Sequence, residues 1–359
     1  MAFDPVQEDC MRLVLASMKR ERVYPLENAT FVARCMRAYE KDPASLIKTD
    51  ADRSFHLVAK ATEIADYRLP FLSDEDEMDR LSLQVESYLD EATGLDPKNW
   101  DAQRMLAAVK APTNDAYVGY LLDNRALVRQ DMEGLEEDAS DPYAREYASD
   151  LGRRPYLRWL AALSSRAFIA GQYRLSLSVA EEALALDGSD PTDVRHTGML
   201  ALAKLESTQE ELEGYRKRHA SAYGKRTSAL RRRRGRPGSD AWSLMAEMDV
   251  AYRAMDFEGA TARLHALLTG YPHAAEALYY QAEFPDGLFG RVNVAPKSED
   301  ELILATSEST PLLQEGFGAP DYASFSNWIA ESELVQRELD KQANAPHRPF
   351  GTERFRGEN

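Results

Sequence analysis

Three times this chain closes one helical stretch and opens the next with the same grammar. YLDEATGLDPKNWDAQRMLA (Tyr88–Ala107), VAEEALALDGSDPTDVRHTGML (Val179–Leu200) and ATARLHALLTGYPHAAEALYYQA (Ala260–Ala282) each set small or aliphatic residues at helical spacing. Asp-Pro, Asp-Gly or Tyr-Pro then follows, where proline or glycine stops one helix and lets another start. A chain punctuated in this way folds into helix pairs. No run alternates polar with apolar residues as a strand would, and Ala, Leu, Glu and Arg dominate, as helix propensity prefers. At 359 residues, 44% hydrophobic and 29% charged, it can bury one large core or two smaller ones and falls in the soluble globular class.

Helix starts are written out at several places. Asp4, Pro5 and Gln7 give an N-cap acceptor, a first-turn proline with no amide to leave unsatisfied, and a glutamine placed to reach back. Further starts stand at Ser73 with Asp76, at Asp190 with Pro191 and Asp193, and at Ser298 with Glu301. Behind the first start, Val6, Cys10, Leu13 and Ser17 or Met18 recur at three and four residues. In the next segment Ala29, Val32, Met36 and Tyr39 do the same. The two stripes predict an antiparallel helix pair.

Several classes of function are excluded or left without support. No stretch approaches the roughly 18 apolar residues of a membrane span. The acids among Met1–Cys10 are unlike a signal peptide, so a cytoplasmic address is expected. Cys10 and Cys35 are too few for a disulfide framework and lack the paired spacing of a zinc site; both are expected as buried reduced thiols. Gly224-Lys225-Arg226-Thr227 lacks the upstream glycine of a phosphate loop, and G-x-G-x-x-G, H-E-x-x-H and G-x-S-x-G do not occur. The six histidines, at 56, 196, 219, 265, 273 and 347, are dispersed. The acidic run Ser73–Asp79 lacks the glycine and closing glutamate of a calcium loop, and reads as an N-cap with first-turn acids answering the helix dipole. No catalytic residue, metal ligand or cofactor is assigned.

The stretch Leu157–Gly188 resembles the tetratricopeptide repeat family, whose unit of about 34 residues is helix, turn, helix. Leu163 and Ser164 stand at its Leu-Gly, and Gly171 and Tyr173 at its inter-helix Gly and Tyr. Ser176 takes its small-residue place, and Ala183, Leu184, Leu186 and Asp187 match its close. Leu160, Ala180 and Gly188 depart from its Trp, its second-helix aromatic and its proline. A later unit matches through Phe257, Ala260, Leu264, Leu267, Leu268 and Pro272; an earlier one closes with Ala92, Leu95, Asp96 and Pro97. Within that superfamily RRPYLRWLAALSSRAFIAGQYRLSL also resembles bacterial relatives of the suppressor of tumorigenicity seven group, which supplies no activity. The resemblance implies an all-α, right-handed solenoid of antiparallel helix pairs. Each pair leaves an apolar face until a neighbour stacks on it.

Repeat register isolates the basic stretch RRRRGRPGSD. Tyr173 and Phe257 lie 84 residues apart, about 16 more than two repeats need, and 223–238 is an insertion of that size. It carries Arg231, Arg232, Arg233, Arg234 and Arg236. Arg234-Gly235-Arg236-Pro237 is similar to the core of an AT-hook, whose glycine lets arginines sink into the minor groove. Gly238, Ser239 and Asp240 follow, however, where further basic residues belong. Ten basic residues and no acid lie between Tyr215 and Ser239, while the rest of the chain sets 34 basic against 60 acidic residues and repels a polyanion. The stretch therefore reads as a solvated loop, or as a surface for an acidic protein, ahead of nucleic-acid binding. A second surplus, between Pro97 and Gly188, is assigned to the turn-rich Asp131–Arg153.

The expected organisation is N-terminal helical pairs at 1–70 and repeats at 71–285. Capping helices follow at 286–341, one over Glu299–Ser309 and one over Tyr322–Lys341, and then a mobile tail at 342–359. What the resemblance implies for function is a protein or peptide partner in a concave groove, with no membrane association. It points to Arg104 and Arg158 in the earlier repeats, and to Trp242, Asp249, Tyr252, Tyr279 and Tyr280 in the later ones. Aromatics and arginine carry interface energy, although Trp242 and Tyr280 read equally well as core aromatics. Nucleic-acid association through the arginine loop is the alternative.

Overall fold

A computed structural model of the chain describes residues 4–24, 28–72, 74–224, 239–283, 294–314 and 324–343. All regular structure among them is helical, with no strand. The chain divides into two units, Met1–Gly238 with Phe289–Val294, and Ser239–Leu288 with Ala295–Asn359. The first division falls where the arginine-rich stretch ends. That stretch from residue 225 on, and the tail from 344 on, lie outside the described residues.

The first unit opens with α1 (Pro5–Glu21), α2 (Ala29–Lys41), α3 (Asp50–Tyr67), α4 (Glu75–Leu95) and α5 (Trp100–Lys110). Each starts on a side chain that accepts an otherwise unpaired amide. Asp4 takes the Gln7 amide at 2.7 Å, Asn28 takes that of Phe31 at 3.0 Å, and Thr49 with Asp52 forms a reciprocal capping box. Such a cap stabilises a helix by about 1 kcal/mol. α4 starts one residue later than predicted from Ser73, which lies outside the described residues: the neighbouring acid Asp74 caps the helix, accepting from Glu77 at 2.9 Å. Helix α1 packs against α2 and α3, and α3 packs against α4 over a core of Leu57, Ile64, Leu81, Val85 and Leu89.

There follow α6 (Asn114–Glu137), α7 (Pro142–Ser149), α8 (Arg154–Ile169), α9 (Tyr173–Leu186), α10 (Val194–Lys204), α11 (Gln209–Arg218) and α12 (Ala220–Gly224). Asp131–Arg153 is more helical than expected: Asp131 lies inside α6, and Asp141 with Pro142 starts α7 as an N-cap and first-turn proline. Helix α10 begins at Val194, later than its start signal. Asp190 caps it from a distance, its two carboxylate oxygens taking the Val194 and Arg195 amides at 2.8 and 3.1 Å. In the helix-turn-helix of α8 and α9, Gly171 sits at φ 74°, a left-handed conformation that glycine adopts without penalty. Ser164 donates to the Ser176 carbonyl at 2.9 Å, and Leu160, Leu163, Ala180 and Ala183 are buried. Small side chains at this crossing let the two backbones approach.

The second unit contains α13 (Ala241–Arg253), α14 (Phe257–Gly270), α15 (Ala274–Glu283), α16 (Glu299–Glu308), α17 (Thr310–Leu313), α18 (Ser324–Ala330) and α19 (Glu333–Ala343). Ser298 caps α16 by accepting the Glu301 amide at 3.1 Å, as its sequence predicts. The single helix expected over Tyr322–Lys341 is two. Ser332 interrupts it, its hydroxyl accepting the Leu334 amide and its carbonyl the Gln336 amide, so that α19 starts afresh.

Candidate functional site

The residues singled out by resemblance fall in both units. Arg104 and Arg158 meet around the buried Asp101 of the first: Arg158 Nε donates to Asp101 Oδ1 at 2.7 Å, and Arg104 Nη2 stands 3.7 Å from the same oxygen. In the second unit Trp242 is 2% exposed and donates to Glu308 at 2.6 Å, while the fully buried Asp249 accepts from Arg253 at 2.6 Å. Tyr252 packs its ring against Phe257, Phe325 and Trp328. Tyr279 contacts Tyr280, which at 56% exposure is the most solvent-facing of the set. Arg231, Arg232, Arg233, Arg234 and Arg236 lie outside the described residues.

Two adjacent carboxylates of α1, Glu8 and Asp9, are the most deeply buried acids of the region, each 1% exposed. Glu8 collects three guanidiniums. Its oxygens accept from Arg12 at 2.8 and 3.1 Å, from Arg154 at 3.2 Å, and from Arg158 at 2.8 and 3.1 Å. Burial by itself opposes its ionisation. Arg158, Arg12 and Arg154 outweigh that effect and hold the carboxyl well below the usual carboxylate range. Arg12 is fixed in turn by Tyr147, by the Leu151 carbonyl and by the Phe55 ring 3.9 Å away. Arg154 is also paired with Asp150, and Arg158 with Asp101.

Asp9 points elsewhere, because successive residues on a helix are turned by about 100°. Its Oδ2 accepts from the Tyr39 hydroxyl at 2.8 Å and lies 2.6 Å from His56 Nδ1. Both neighbours engage the same oxygen. Oδ1 has no hydrogen-bond partner among the described residues. Burial, and then the nearby Asp9, push the Tyr39 hydroxyl far above its ordinary value, so it remains a donor.

Asp9, Tyr39 and His56 line an open cavity of about 1000 Å³ whose walls come from α1, α2, α3 and α7. The apolar wall includes Val6, Met11, Met18, Val32 and Met36. Val6 and Met36, one from each predicted stripe, are 44% and 47% exposed where they face the cavity, and Met11, outside both stripes, is 38% exposed. Cys10 also lines it, and burial followed by Asp9 raises its thiol, the opposite of what a nucleophilic thiolate needs. Cys35 is buried and likewise free.

No cluster of His, Cys, Asp and Glu among the described residues could hold a metal ion, and no described helix is long and apolar enough to cross a membrane. The chain matches no protein-family model, no curated protein and no solved structure. Sequence reasoning passed over Asp9 and His56. The signal that could have found them is a pair of acids, Glu8 and Asp9, set immediately before Cys10 in an apolar stripe.

Proposed function

We propose that the chain is a non-enzymatic, cytoplasmic binding scaffold, that its helix pairs stack antiparallel as a tetratricopeptide-like solenoid, and that the cavity of α1, α2 and α3 receives an apolar segment of a partner protein. The observation that carries this reading is the exposure of Val6, Met11 and Met36 on one concave wall. Apolar side chains gathered on a concave surface lose contact with water when a partner covers them. Methionine adapts its shape to what it meets. Support for the solenoid comes from the α8–α9 hairpin, with its left-handed Gly171 and its Ser164–Ser176 contact.

A benzophenone amino acid placed at Met36 tests the site in the cells that make the protein, with Leu83, 68% exposed on α4, as the control position. A discrete crosslinked product from Met36, absent from Leu83 and lost when Met11 is changed to Asp, is expected. Crosslinks of equal yield from both positions would remove the cavity from the proposal.

A further inference from the structure

We propose that the occupant of this cavity is a basic amphipathic helix of a partner, which seats its apolar face on the methionine wall and hydrogen-bonds one Lys or Arg to Asp9 Oδ1. The inference rests on the reading of the cavity as a docking site and adds the chemistry of what docks.

Charge selects a cation. Asp4, Glu40, Glu63 and Glu146 are exposed on the cavity lining and form no ion pair among the described residues, whereas Lys60 is the one lysine that faces them there. Asp150, also on the lining, is already paired with Arg154 at 2.9 Å. Such an excess of one sign steers an oppositely charged partner and repels its own kind. The second observation is independent of the rim. Asp9 is 1% exposed, lines the cavity, and has one carboxylate oxygen with no donor among the described residues, although Tyr39 and His56 both crowd the other. Buried polar atoms are almost always hydrogen-bonded, so Oδ1 is the acceptor on this lining that an incoming donor can complete. Lys and Arg supply donors and no acceptor.

Backbone chemistry selects a helix. The walls are helices whose amides and carbonyls already bond one another, so they offer no strand edge to an extended peptide, and such a peptide would bury its own backbone groups unpaired. A helix satisfies its backbone internally. At about 10–12 Å across, roughly two turns of it fill a cavity of this size, and side chains at i, i+3, i+4 and i+7 then meet Val6, Met11, Val32 and Met36.

The test titrates the full chain with a synthetic leucine–lysine amphipathic helix of about four turns, with the same peptide carrying glutamine for lysine, and with hexylammonium. Affinity is read by calorimetry, and location by the methionine methyl signals of Met11 and Met36 against Met255, 75% exposed in the second unit. The lysine helix is expected to bind at least about tenfold more tightly than the glutamine helix, shifting Met11 and Met36 and leaving Met255 in place. Asp9→Asn should remove most of that preference. Glu40→Lys with Glu63→Lys, at exposed positions that do not threaten the fold, should lower affinity for the lysine helix alone. If both helices shift Met11 and Met36 with equal affinity, the docking site stands and the cation inference falls. If neither shifts them, both fall. Hexylammonium binding as tightly as the lysine helix would overturn the helical occupant. An unchanged preference in a folded Asp9→Asn protein would overturn the contact with Asp9 Oδ1.

Discussion

Glu8 and Asp9 are consecutive, chemically alike and equally buried, yet one is saturated with partners and the other is left short. Glu8 faces α8 and accepts five hydrogen bonds from three arginines. Asp9 faces α2 and α3, and both of its neighbours share one oxygen. A buried carboxylate surrounded in the first way joins elements distant in sequence, since Arg158 lies 150 residues from Glu8. One surrounded in the second way has a carboxylate oxygen that no described residue takes up. The first arrangement holds the unit together. The second is what a ligand can complete.

The comparison breaks most visibly at Glu8. Glu8→Gln leaves Arg12, Arg154 and Arg158 without the charge on which they converge, and removing one partner of a buried ionic group costs about 3–5 kcal/mol. Urea unfolding of the first unit measures it. A loss under about 1 kcal/mol would show that water, rather than Glu8, solvates the three arginines.

Acid should reach the same cluster next. The folded-state carboxyl of Glu8 is held below its ordinary value of 4.5. Its contribution is therefore complete above that pH and is lost as pH falls below it toward the folded value, the sign of a group whose folded state binds protons less readily. The arginines do not titrate in this window. Unfolding midpoints of the wild type should therefore fall more steeply below pH 4.5 than those of Glu8→Gln, and parallel curves would exclude Glu8 as the source of acid sensitivity.

What could be read ahead of the structure follows the same division between local and distant. Asp4 and Ser298 cap the helices they announce, because a cap is decided within four residues. The start announced at Ser73 falls one residue early, because the neighbouring Asp74 is an equally good acceptor and caps α4. The stripes on α1 and α2 identify Leu13, Met18 and Tyr39, which are buried, and also Val6 and Met36, which are not. Periodicity fixes which residues share a face, and it carries no information on how far away the opposite face stands. The ion network was out of reach for a related reason. Glu8 meets Arg158, and Asp9 meets His56, across sequence separations that no local pattern encodes. Resemblance singles out Arg158 as a groove residue; that its guanidinium spans Glu8 and Asp101 is not written in any local pattern.

A smaller effect is expected at Asp9. Asparagine retains an oxygen for the Tyr39 hydroxyl and gives up the charge beside His56, so Asp9→Asn should cost about 1 kcal/mol, the worth of one hydrogen bond. A cost matching that of Glu8→Gln would mean that both acids belong to one structural network, and the contrast drawn between them would disappear.

The smallest change is expected on the wall that Asp9 faces. Met36 lines the cavity but is 47% exposed, so Met36→Lys removes little packing and can hold its ammonium in water while its stem lies along the apolar surface. Stability should stay within about 0.5 kcal/mol of wild type, as for surface substitutions away from special features. A loss of several kcal/mol would mean that α1, α2 and α3 close over Met36 in solution. The cavity would then be part of the core, with no room for a partner.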